Sequence, residues 1–126
     1  MVFFIWLYLY LRLLYMKVRL LYFEGCPGVD NAKEHLNAAL TELGIDVNYD
    51  VIDVVKLRNQ TNGDLIGSFY GSPTINIEQN GQWIDLFNQT GVSMMANRNY
   101  TYNDVRTPYA SKDMIIKKIK RMQQFA

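Results

Sequence analysis

Val18 to Val29, VRLLYFEGCPGV, passes within twelve residues from an apolar run, through Gly-Cys-Pro, into a helical pattern. That transition constrains the fold most, because Val18 to Phe23 is largely apolar on both faces, as a strand covered from two sides requires. Gly25 and Pro27 end the run. Val29, Ala32, Leu36, Leu40 and Leu43 then recur at helical spacing, with Asp30, Lys33, Glu34 and Asn37 among the polar positions. Pro27 suits the first helical turn, where its missing N–H has no intrahelical partner, and Gly44 suits the stop. A second strand is expected over 47–52, with Val47, Tyr49 and Val51 on one face. Strand, helix and strand joined by short connections make a βαβ unit, whose crossover is right-handed.

Downstream, residues 53–69 read as helical but broken at Asn62-Gly63. Thr74 to Ile77 reads as a third strand, Asn80-Gly81 as a hairpin turn, and Trp83 to Phe87 as the returning fourth. From Asn88 to Pro108 the pattern dissolves into Asn, Thr, Tyr and Gly, which predicts a long loop. Ser111 can cap a last helix whose buried stripe is Ile115, Ile119 and Met122. The expected fold is therefore α/β: a four-stranded mixed sheet, made of a βαβ unit and then a β-hairpin and C-terminal helix, flanked by helices.

A chain of 126 residues suits one domain. Thirteen basic and 12 acidic residues nearly cancel, so no global charge argues for nucleic acid. The run Lys117-Lys118-Ile119-Lys120-Arg121 reads as the solvated face of the last helix. Residues 1–15, MVFFIWLYLYLRLLY, are almost wholly apolar and aromatic, with Arg12 the interruption. They are too short to span a bilayer, which takes about 20 apolar residues, and they lack a signal peptide's basic start and cleavage site. We read them as a hydrophobic extension outside the domain, which then covers 16–126. A membrane association follows only if they are translated rather than preceding a true start at Met16.

The single cysteine excludes an intramolecular disulfide and any multi-thiolate metal site, and it fits a reducing, cytoplasmic setting. No metal site is expected, because no His-rich spacing is present. Cys26 lies where a strand gives way to a helix. There, unpaired backbone N–H groups and the positive end of the helix dipole favour the ionised, attacking form of a thiol. Glu24 opposes that effect. His35, the only histidine, is more than two helical turns away and reads as a packing residue. The position that would complete a Cys-x-x-Cys pair holds Val29. The plainer reading of Cys26 is a small buried hydrophobe.

LLYFEGCPGVDNAKEHL followed by GSPTINI resembles small thioredoxin-like proteins whose first strand ends in Tyr-Phe-x-Gly-Cys-Pro, some of which carry selenocysteine at the cysteine position. The resemblance implies a thioredoxin-like fold from Met16 to about Arg121. It also implies a redox role for Cys26, a cis bond before Pro73, and a substrate platform formed by Ser72, Pro73 and Thr74 with Gly25 and Pro27 beside the thiol. In that group a Cys-Arg-x-Tyr element often precedes the last helix; here Asn97-Arg98-Asn99-Tyr100 stands in its place, without the cysteine. The expected function is a monothiol redox protein. Cys26 would exchange with a disulfide or react with a peroxide or sulfenate, and an external thiol such as glutathione would resolve the product; no bound cofactor is expected. The alternative is a non-catalytic thioredoxin-fold module that binds proteins. Partners would be protein or small-molecule thiols and disulfides, not nucleic acid.

Overall fold

The computed structural model describes residues 16–57, 67–89 and 94–124. Among them the elements run β1 (Val18–Tyr22), α1 (Val29–Leu43), β2 (Asp50–Asp53), α2 (Val54–Leu57), β3 (Tyr70–Ser72), β4 (Thr74–Gln79), β5 (Gln82–Asp85), β6 (Met94–Asn97), β7 (Tyr100–Tyr102), β8 (Val105–Thr107) and α3 (Lys112–Gln124). A four-stranded mixed sheet has the order β2-β1-β4-β5. β2 is parallel to β1, while β4 is antiparallel to both β1 and β5. The α/β class and the mixed four-stranded sheet expected from the sequence are present.

The alternation of β1 and β4 sorts side chains onto two faces of this sheet. Val18, Leu20, Ile75 and Ile77 join Ala32, Leu36, Ala39 and Leu40 of α1 and Ile115, Ile116 and Ile119 of α3 in the main core. Leu21 instead packs with Val54 and Phe69, backed by Phe23 and Ile52. Beside that smaller cluster, buried Arg19 donates to Asn76 Oδ1 (2.9 Å) and Ser68 Oγ (2.7 Å), and its guanidinium lies 4.3 Å from the Trp83 ring centroid. Both faces of β1 are thus covered, one mainly by helices and the other partly through a hydrogen-bonded guanidinium.

Local sequence sets the helix ends. Gly44 is left-handed, and the N–H groups of Gly44 and Ile45 bond back to Thr41 O and Leu40 O, closing α1. Ser111 Oγ accepts the Met114 N–H at 3.3 Å, so it caps α3 as its position suggested. His35 is a packing residue: its ring stacks on Tyr109 (4.8 Å between centroids), and its Nδ1 accepts the Lys112 N–H at 3.0 Å.

Three expectations need correction. The second strand begins at Asp50, not Val47; the Asn48 N–H bonds Asp46 Oδ1 in a local turn that leaves Val47 outside the sheet and 43% exposed, and Val51 is 40% exposed because β2 lies at the sheet edge. Residues 94–107 are not loop. β6 pairs in parallel with β3, and β7 and β8 form a hairpin whose turn residues Asn103 and Asp104 both have positive φ, as a tight two-residue turn demands. Third, α1 begins at Val29 with Gly28 as its N-cap residue, so Cys26 and Pro27 precede the first helical turn. The remaining boundaries agree within a few residues, including the Asn80-Gly81 hairpin. The break expected at Asn62-Gly63 and the extension 1–15 lie outside the described residues.

Candidate functional site

Cys26 sits half-buried on the turn between β1 and α1, between exposed Gly25 and exposed Pro27. Its N–H points back to Phe23 O at 3.4 Å, which keeps the turn tight. The Phe23 N–H in turn bonds Ser72 Oγ at 3.2 Å. This bond joins the cysteine turn to the Ser72–Pro73 peptide, which is cis. On the other flank, Gly28 is packed so closely against the Pro108 carbonyl that an added Cβ would lie 2.1 Å from its oxygen. The turn is therefore held by β3 on one side and by the segment leading into α3 on the other.

Ser72, Pro73 and Thr74 are buried, with Ser72 1% and Thr74 0% exposed. Their polar groups are satisfied within the chain. Ser72 O accepts the Arg98 N–H at 2.9 Å, and Pro73 O accepts the Tyr100 hydroxyl at 2.5 Å. Thr74 Oγ1 accepts the Tyr70 N–H at 3.2 Å and donates to Gly71 O. Of the residues that the sequence singled out, Gly25 and Pro27 are exposed and Cys26 half-buried on the turn, while Ser72 to Thr74 are buried and joined to that turn through the Phe23–Ser72 bond.

The sequence reading missed what holds that support. Arg98 Nη1 and Nη2 meet Asp85 Oδ1 and Oδ2 at 2.6 and 3.0 Å, a two-pronged ion pair with side chains 10% and 0% exposed. Asp85 Oδ2 also accepts the Phe87 and Gln89 N–H groups at 3.0 Å each, which fixes the chain as it leaves β5. Burial depresses the Arg98 guanidinium, but the hydrogen bond to Asp85 and the charges of Tyr100 and Asp85 outweigh it, so its pKa is raised. The Arg98 guanidinium lies 4.6 Å from the Tyr100 ring centroid. Burial raises the Tyr100 phenol, the Arg98 charge lowers it, and the charges of Asp85 and Cys26 raise it further; the net shift is upward. The signal for this arrangement was present as Arg98-Asn99-Tyr100, but its partner Asp85 is remote in sequence.

Among the described residues no group of three or more His, Cys, Asp or Glu side chains could hold a metal ion, and no helix is long and apolar enough to cross a membrane.

No protein-family profile matches this chain, and neither does any curated protein. A solved structure described as "Structure of a malarial protein" is similar over 84% of this chain and 94% of that one, at 15% identity and a TM-score of 0.49.

Proposed function

We propose that the chain is a thioredoxin-like, single-thiol redox protein in which Cys26 is the reacting group. The observation that carries this reading is the half-exposed Cys26 turn tied by the Phe23–Ser72 bond to the Ser72–Pro73 peptide. The strand order β2-β1-β4-β5, with one parallel and two antiparallel pairings, supports the thioredoxin-like reading of the sheet. In the exchange, Cys26 Sγ attacks one sulfur of a substrate disulfide. A new S–S bond forms, the substrate S–S bond breaks, and the second sulfur leaves as thiolate and takes up a proton. An external thiol then attacks the mixed disulfide and releases Cys26, so the substrate is reduced and the external thiol oxidised. Such a thiol is abundant in a reducing compartment such as the cytoplasm.

The second reading is a non-catalytic protein-binding module that keeps the same fold and platform for protein contact; the Ser72 and Pro73 carbonyls, bonded to Arg98 and Tyr100, are already engaged in either reading. Cys26→Ser separates the two readings. Loss of thiol-dependent reduction of a model disulfide, with the fold retained, supports the redox protein; an unchanged function with an inert thiol supports the module. The rate of Cys26 alkylation by iodoacetamide in folded and urea-unfolded protein is the companion measurement. If the thiol reacts only after unfolding, the redox reading fails.

A further inference from the structure

Charge on this chain is unevenly distributed. Its total is +1, yet α3 alone carries Lys112, Lys117, Lys118, Lys120 and Arg121 against a single acid, Asp113, which leaves the remainder net acidic. Lys117, Lys118, Lys120 and Arg121 border a groove of about 560 Å³ whose wall includes the half-buried Phe87, Tyr102 and Met114. Lys117 Nζ donates to the Tyr102 hydroxyl, so the β7–β8 hairpin is fastened to the basic face of the helix. Hydrogen bonding to Tyr102 raises the Lys117 pKa. At the hairpin, Val105 is 61% exposed between exposed Asp104 and exposed Arg106; a smaller adjoining hollow is lined by Val105, Tyr102 and Met114. An outward valine, an apolar groove and a row of cations thus share one side of the molecule.

We propose that this side is a docking surface for an anionic phospholipid bilayer. The cations meet headgroup phosphates and carboxylates, and Val105 enters the interfacial layer beside them. A bilayer fits better than a folded acidic partner because four cations cluster on one stretch of α3, the pattern that meets anionic headgroups, with an apolar side chain of the neighbouring hairpin beside them; the apolar side of α3 itself, Ile115, Ile116 and Ile119, stays in the core, so the contact is mainly electrostatic. The chain also carries a second apolar element immediately before β1, residues 1–15, rich in Phe, Trp, Tyr and Leu. Weak basic and apolar contacts gain stable attachment when two of them act together. The proposal is independent of the chemistry at Cys26.

The test is co-flotation of the full chain with phosphatidylcholine vesicles, with and without phosphatidylserine, at low and high salt. Phosphatidylserine should strengthen binding and salt should weaken it. Lys118→Gln and Arg121→Gln should each reduce affinity about fivefold, Val105→Ser should reduce it further, and Lys56→Gln on a remote surface should leave it unchanged. Circular dichroism confirms that each variant is folded. Equal binding to neutral vesicles, insensitive to salt and to these substitutions, would assign membrane affinity to residues 1–15 and overturn the proposal. Absence of vesicle binding would also overturn it, as would variant-sensitive binding to single-stranded RNA with no preference for anionic lipid.

Discussion

The Tyr100 hydroxyl donates to the Pro73 carbonyl at 2.5 Å, across 27 residues of sequence, while the neighbouring Ser72 carbonyl takes the Arg98 N–H. Two residues of one short segment thus satisfy the carbonyl of the Ser72–Pro73 peptide and the carbonyl that follows it. Buried carbonyls without donors are costly, so this segment is part of the site's construction.

Tyr100→Phe removes the donor and leaves the buried Pro73 carbonyl unpaired. We expect a loss of about 1–3 kcal/mol in urea denaturation. The pH dependence provides a second readout. The folded phenol titrates above the unfolded value of 10.0, mainly because it is buried. Below pH 10.0 both states hold the proton and the contribution is constant; above it the unfolded phenol ionises first, so stability falls as pH rises. Tyr100→Phe should flatten that alkaline decline.

Arg98→Met strands the Asp85 carboxylate in the interior and should cost about 3–5 kcal/mol. Adding Asp85→Asn to that variant removes the uncompensated charge, so the double variant should be more stable than Arg98→Met alone. Arg98→Lys keeps the charge but loses the two-pronged geometry, and it should recover only part of the loss. Denaturant midpoints of the three variants check the ordering.

Two glycines should fail for different reasons. Gly28→Ala places a Cβ against the Pro108 carbonyl and should cost about 1–3 kcal/mol through forced displacement. Gly44→Ala meets no neighbour, yet its φ of 74° is left-handed, and it should cost about 1–2 kcal/mol. Asparagine tolerates that conformation, so Gly44→Asn should recover much of the stability, whereas Gly28→Asn should not.

Cys26→Ser should change stability by less than about 0.5 kcal/mol, because the side chain is half-exposed on a turn. It should abolish iodoacetamide labelling altogether, the chain having one cysteine. Thermal melting together with intact-mass analysis after alkylation checks both statements.

The elements that were legible in the sequence are those where local chemistry and tertiary packing agree. The stripe Ala32, Leu36, Leu40, the stop at Gly44, the turn at Asn80-Gly81 and the cap at Ser111 each express a rule that acts within a few residues. Val47, Tyr49 and Val51 alternate as a buried strand does, yet Val47 belongs to the turn before β2 and Val51 lies at the open edge of the sheet. The β7–β8 hairpin was missed because Asn103-Asp104 reaches positive φ without a glycine. At the site, Cys26 and Ser72 to Thr74 stood out as short motifs, but the grip of Asp85, Arg98 and Tyr100 depends on contacts between segments that no local pattern encodes.

Ser72 has a mechanical consequence for the cysteine turn. Its hydroxyl oxygen accepts the Phe23 N–H from the turn's base, and its carbonyl accepts the Arg98 N–H from the segment following β6. A displacement at either end must therefore stretch or break one of these two bonds, or carry Ser72 with it. A pull on the Arg98 segment is transmitted through a single serine to the backbone that sets the direction of the sulfur.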